Sequence, residues 1–388
     1  MTDLDIGLLA RLVRPGARIA LADGSGAPVW LLPELAEVAA RHGSVDLLLG
    51  WIPRPVPSES LRAFGDVRTF MPGWGLRQAS DAGAVQPVAS RMSAVGGLLA
   101  GPLRPDLLVA TLVRRGGGLR FGSECSWMRR LVEAGVPVAA VVSSTAPCAD
   151  AGPALPTGTV TVVAEVDQAP WEVAPEPPGP VEQAVAGRVA ALVPTGARVQ
   201  VGPGRLGAAV LAELAERQVS VHVDSGLLPD AVVDLAARGL LLGVPVATYL
   251  AGSARLYDWA DGRPLLHPVE WTHSAGRLGD GPALVAVNTA LEVDVHGQVN
   301  VEGTAASSVG GIGGHPDYAG AAASSADGLS VIALASSYAG RPTLVEQLSR
   351  PATTAAHDVD VVVTERGSAD LRGLSRAERT TALRRLWD

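Results

Sequence analysis

Residues 197–226, ARVQVGPGRLGAAVLAELAERQVSVHVDSG, leave the chain few folds to choose from. Residues 197–201 read as a short buried strand, Gly202-x-Gly204-x-x-Gly207 as a tight turn and 206–217 as a helix. Residues 219–224 then read as a second strand that ends in a carboxylate. This is one β-α-β unit, and two chemistries suit it. In the first, the glycines admit a pyrophosphate to the helix N-terminus, and an acid about 20 residues on holds a ribose hydroxyl. In the second, the turn brings backbone close to some other ligand, and Asp224 is a reactive carboxylate.

The rest of the chain repeats this rhythm. Residues 17–22, 45–50, 107–113, 136–142 and 159–166 are short β-branched or leucine-rich runs, the form of strands buried on both faces. Amphipathic segments such as 31–42 and 126–134 lie between them, so the pattern predicts an α/β fold with mainly parallel sheets. Residues 167–182 carry five prolines and break the rhythm. They divide the chain into a domain over 1–170, a linker over 171–182 whose Trp171 packs against a domain, and a domain over 183–388. In the second domain a helix is expected at 181–192, strands at 244–250, 283–288, 329–335 and 359–364, and a closing helix at 375–387 capped by Ser375 with Glu378. Both halves open on a strand, a glycine turn (GSGAP at 24–28, GPGRLG at 202–207) and a helix, which suggests a duplicated fold. A chain of 388 residues suits two such units.

Composition removes several function classes. All 31 basic residues are arginine, which excludes a lysine Schiff base and a P-loop lysine. The net charge of −8, without a basic block, argues against nucleic acid. Cys125 and Cys148 are too few for a disulfide framework and read as reduced structural thiols. No basic leader precedes an apolar run and no apolar run approaches a membrane span, so a cytoplasmic protein with no membrane partner is expected. The richness in Ala, Gly, Arg and Pro suggests a GC-rich bacterial genome.

Gly310-Gly311-Ile312-Gly313-Gly314 is the densest glycine run, followed by His315-Pro316-Asp317-Tyr318. Such a run leaves N–H groups unobstructed for an anion or a developing oxyanion. The seven histidines form no H-x-x-x-H or H-E-x-x-H, so no metal site is expected, and no G-x-S-x-G is present. His222 lies two residues before Asp224 on the same strand.

In order along the second half, several blocks resemble the acetyl-CoA hydrolase/transferase family, which includes the 4-hydroxybutyrate CoA-transferases. Gly202-Pro203-Gly204 resembles its glycine turn, and His222-Val223-Asp224 its His-Thr/Ser-Glu. Gly252-Ser253 with Leu256-Tyr257-Asp258-Trp259 resembles GT-x-x-LYDF. Asn288-Thr289-Ala290-Leu291-Glu292-Val293-Asp294 with Gly297-Gln298-Val299-Asn300 is similar to NSALEVD…GQVN. Gly311 to Tyr318 is similar to GTGGQxDF, and Val362 to Gly367 with Ala369 to Gly373 to VVTEYGxAxLRG. The first half matches more weakly, through its opening unit and Ala164-Glu165-Val166. The resemblance implies two tandem CoA-transferase-like α/β domains and favours the second chemistry over the dinucleotide one.

The resemblance further implies an acyl-CoA and a small carboxylate such as acetate as substrates, no tightly bound cofactor, and a homo-oligomer, expected to be a dimer. It places Asp224 as the nucleophile, where the family has glutamate, and Glu365 as a polar partner. It assigns Gly202, Gly204, Asn288, Gly311, Gly313, Gly314 and His315 to the oxyanion and CoA-binding surface. Two departures stand out. Asp224 is one methylene shorter than glutamate, and His273 aligns with a family asparagine. An Asp224–His273 dyad that activates water, making a thioesterase, is therefore the alternative to CoA transfer. A catalytically weak protein that binds CoA thioesters is the third reading.

Overall fold

The structure, a computed structural model, describes residues 3–174 and 176–388. Two sheets organise it. The first takes its central parallel strands from Arg18–Leu21, Asp46–Leu49, Val67–Thr69, Leu107–Arg115, Val138–Ser143 and Val160–Val166. Its edges are the two-residue pairings of Asp3–Leu4, antiparallel, and Gln86–Pro87, parallel. The second runs in the order His222–Val223, Arg198–Val201, Leu284–Thr289, Leu329–Ala333, Val361–Val363 and Ser368–Asp370. It is parallel except for the last strand. The fold is therefore α/β in both halves.

The strands are near-continuous apolar runs because both of their faces are covered. In the first sheet, alternation sends Ile19, Leu21, Leu47 and Val109 to one side, where Leu35, Val38 and Ala39 of helix Leu32–His42 meet them. Ala20, Leu48, Leu108 and Ala140 face the other way, into a core that also holds Val199, Val201, Val285 and Val287 of the second sheet. One hydrophobic core thus joins the two halves. The outer face of the second sheet packs Leu284 and Ala286 on Tyr318 and Ala322, and Ile332 and Val362 on Leu383 and Leu386.

Two expectations change. The strand expected over 244–250 is reduced to Tyr249–Leu250, and that over 219–224 to His222–Val223. Residues 241–246 follow 221–224 only through isolated parallel bridges, and from residue 248 the segment turns to pair with the first half. Thr248 accepts from Cys125 N at 3.0 Å, Leu250 N donates to Ser123 O at 2.8 Å, and Leu265 N donates to Ala149 O at 3.0 Å. Residues 167–174 and 176–179 carry no regular structure, and helix Pro180–Ala190 follows. Trp171 is 44% exposed, with the Arg54 guanidinium over its ring at 5.1 Å, so it is only partly packed. The closing helix Arg376–Trp387 has the expected capping box from Ser375 and Glu378.

Candidate active site at the junction of the two sheets

Ligands of open parallel sheets bind beyond the carboxyl ends of the strands. Here those ends open into a cavity of about 400 Å³. Gly202, Gly226, Asn288 and the loop 310–314 come from the second half, and Trp51, Met71 and Trp74 from the first.

The glycine loop is braced from several sides. Gly313 O accepts from Met92 N at 3.0 Å, Asp81 Oδ1 accepts from Ser308 N at 2.7 Å, and Asp317 accepts from Ser93 N and Oγ at 3.1 and 2.6 Å. A Cβ on Gly311 would stand 2.8 Å from Phe70 O, so glycine is required for this approach. Gly313 alone in the run has positive φ, at 56°. Among the described residues, the N–H groups of Gly311, Ile312, Gly313 and Gly314 donate to no protein acceptor. They are four uncommitted donors beside the cavity.

Three buried side-chain atoms on the wall also lack partners: Gln200 Oε1, Asn288 Nδ2 and His315 Nε2. Gln200 Nε2 donates to Asn288 Oδ1 at 3.3 Å, so the two amides hold each other and offer one acceptor and one donor. Unpartnered buried polar atoms are costly in a folded protein and point to a ligand. His315 pairs through Nδ1 with Thr354 Oγ1 at 2.6 Å, and burial pushes its pKa down to about 4.

His273 is 3% exposed and reaches the wall between Gly226 and Gly314. Its Nδ1 meets Thr272 Oγ1 at 2.8 Å, its ring lies edge-on to Tyr318 at 4.9 Å, and its Nε2 has no hydrogen bond within the protein. Burial first, then the nearby Arg277 charge, push its pKa down to about 3, so it is neutral near pH 7.

The sequence-derived set divides here. Gly202, Asn288, Gly311, Gly313, Gly314, His315 and His273 line one cavity. Asp224, Glu365 and Gly204 do not. Asp224 is 4% exposed, and both its oxygens accept from Arg277 at 2.8 Å, with Arg198 Nη1 at 3.4 Å from Oδ2. Asp224 and His273 make no hydrogen bond to each other, so the dyad is not formed. Glu365 instead caps the turn at Ser336, accepting from its N–H at 2.8 Å and from its hydroxyl. Gly204 is the N-cap of helix Arg205–Glu216, with φ 105°. Arg277, which also donates to Thr272 O at 2.8 Å, ties Asp224 to the segment that carries His273.

Sequence reading missed Gly226, Gln200, Tyr318 and the wall from the first half. Gly226 was legible only as the residue two beyond Asp224; both lie past the end of strand His222–Val223, where the period of two that would put them on one face no longer holds. Residues Trp51, Met71 and Trp74 sit in loops without a motif.

Among the described residues no helix is long and apolar enough to cross a membrane. Residues 252–386 match the acetyl-CoA hydrolase/transferase C-terminal domain. The chain is 27% identical over 281 residues to a 4-hydroxybutyrate coenzyme A transferase of Clostridium kluyveri, covering 69% of this chain and 65% of that one, just under two thirds of its length. It is 27% identical over 394 residues to a succinyl-CoA:acetate/propanoyl-CoA:succinate CoA transferase of Fasciola hepatica, covering 96% and 82%. The fold superposes on RipA from Yersinia pestis with a TM-score of 0.84 and 21% identity, over 98% of this chain and 96% of that one. Residues 252–386 thus carry the acetyl-CoA hydrolase/transferase C-terminal domain, and the chain as a whole is similar to CoA transferases at 27% identity.

Proposed function

We propose that the protein moves coenzyme A between a small acyl-CoA and a carboxylate such as acetate. The observation that carries this reading is the run of four uncommitted N–H donors at 311–314 in a loop that lines a cavity of about 400 Å³. Such donors stabilise the oxyanion that forms when a thioester carbonyl is attacked, and the bracing of the loop by Met92, Ser93 and Asp81 fixes their backbone before the reaction begins. Relatives named as CoA transferases supply the substrate class. The largely apolar wall, with Trp51, Met71, Trp74 and Ile312, suits a short acyl chain and the pantetheine arm.

Hydrolysis is the second reading, favoured by the same donors and by the neutral His273 Nε2 at the cavity wall. A base with a pKa of about 3 removes a proton from water poorly near pH 7, which ranks hydrolysis below transfer. Incubation with a panel of acyl-CoAs, with and without acetate, separates the two. New acetyl-CoA that depends on acetate supports transfer. CoA release that ignores acetate sinks transfer in favour of hydrolysis, and thioester binding without turnover leaves only a binding role.

The proposal carries with it a cytoplasmic protein, a homodimer and no tightly bound cofactor. Sedimentation at micromolar concentration and absorbance of the purified protein test the last two.

A further inference from the structure

The cavity wall contains no acid. Among the described residues, no Asp, Glu, Ser or Cys lines it. Of its hydroxyl groups, Tyr249 donates to Asp23 Oδ2 at 2.6 Å and Tyr318 to Thr272 O at 3.3 Å, which leaves Thr289. The strand end that delivers Asp224 to Arg277 delivers Gly226 to the cavity. A Cβ on Gly226 would lie 3.2 Å from His273 Nε2 and 3.8 Å from Tyr318 Cε2, so the imidazole stands where a longer side chain at 226 would extend. Asp224 cannot replace it, because turning toward the cavity would break two 2.8 Å bonds and leave Arg277 without its anion.

We infer that the attacking carboxylate belongs to the second substrate, and that the two acids exchange coenzyme A directly within one ternary complex. This inference rests on the transfer reading above. A carboxylate oxygen of the acceptor bonds to the thioester carbonyl carbon, the C–S bond breaks, and CoA leaves as the thiolate. The product is a mixed anhydride of the two acids, held in the cavity. The thiolate then bonds to the acceptor's carbonyl carbon, the C–O bond of the anhydride breaks, and the donor acid leaves as a carboxylate. Charge and atoms balance without any group on the protein. Each attack puts negative charge on a carbonyl oxygen, and the loop N–H groups at 311–314 are the donors available to it. Gly226 keeps open the space that the second acid needs, and Arg77, at the rim of the same cavity and without an ion pair among the described residues, is a cation for an arriving anion.

The direction of oxygen transfer tests this. Protein in molar excess over butyryl-CoA, or over whichever acyl-CoA the panel shows to react, is mixed with acetate carrying oxygen-18 at both positions and quenched within one turnover. The direct route places one heavy oxygen in the released butyrate and leaves the protein mass unchanged. An enzyme carboxylate would donate its own oxygen in the first turnover. Acetyl-CoA formed alongside unlabelled butyrate, or any acyl or CoA adduct on the protein, therefore overturns the inference while transfer itself stands. Failure to form acetyl-CoA with any acyl-CoA of the panel overturns the transfer reading and this inference with it.

Discussion

The two halves open on the same unit, a strand followed by a glycine turn, and use it in opposite ways. In the first half the protein fills the turn with its own acids. A Cβ on Gly24 would lie 2.8 Å from Glu124, one on Gly26 would lie 2.5 Å from Glu124 Oε1, and one on Gly50 would lie 2.5 Å from Asp23 Oδ2. Gly26 N donates to Glu124 at 3.0 Å, and Tyr249 with Ser126 closes over Asp23. In the second half Gly202, Gly226 and the 310–314 run border the cavity, and the acid at the strand end, Asp224, is drawn aside by Arg277 and Arg198. Glycine in such a turn permits a close approach, and residues far along the chain decide whether a side chain or a ligand makes it.

The acids differ in the same sense. Asp224 has two cations, so removing its charge strands them. Asp224→Asn is expected to cost about 3–5 kcal/mol of stability, read from denaturant unfolding, since a buried pair loses one partner. A change below about 1 kcal/mol would show that Arg277 is not buried with it. Glu124 has no cation. Burial first raises its pKa, opposed by Ser123 and Gly26 and assisted by Asp23, from 4.5 to about 7. Stability from this group is complete below pH 4.5 and is lost as pH rises through about 7, a fall of roughly 3 kcal/mol. Glu124→Gln should flatten that slope. His273 and His315 give the opposite slope, their contribution being present above pH 6.5 and lost as pH falls through about 3 and about 4 respectively.

Filling the open turn should abolish function where filling the closed one strains the fold. Gly314→Ala drives a methyl group into His273 at the cavity wall, and acyl-CoA turnover is expected to drop by about 100-fold or more. Turnover within a few-fold of wild type would remove the loop from the reaction. Gly26→Ala should destabilise by about 1–3 kcal/mol through overpacking, and Glu124→Ala in the same chain should restore part of the loss. Strict additivity of the two changes would mean that the contact is not shared. The smallest effect is expected at Arg77→Ala, a several-fold rise in KM for either acetate or acyl-CoA with kcat little changed. No change in either would leave Arg77 outside the binding surface.

Much of this architecture is legible in the sequence. Strands such as 107–113 and 136–142 declare themselves as unbroken apolar runs, and Ser375 with Glu378 fixes the start of the last helix. The ordered blocks around Asn288 and Gly311 mark the cavity because their residues are close in sequence as well as in space. Asp224 misled because sequence order places an acid near the glycine turn without saying which way the strand turns it. Beyond the strand end at Val223 the backbone turns, so that Gly226 reaches the cavity while Asp224 meets Arg277, more than 50 residues away. The wall from Trp51, Met71 and Trp74 was invisible for a related reason, since loop residues gain meaning only from what packs against them.

The hydrogen bonds that run from residues 246–266 back to 122–150 also bear on how the chain is made. Ser123, Cys125 and Ala149 receive their backbone partners from Leu250, Thr248 and Leu265, each more than 110 residues downstream. The loops at 122–126 and 146–151 emerge from the ribosome early but lack these backbone partners until that return segment has been synthesised. Contacts of such sequence separation form slowly, and backbone groups and apolar surface left uncovered meanwhile are open to other chains. A fragment ending near residue 170 is therefore expected to aggregate, whereas one extended past residue 268 carries the segment that covers these loops.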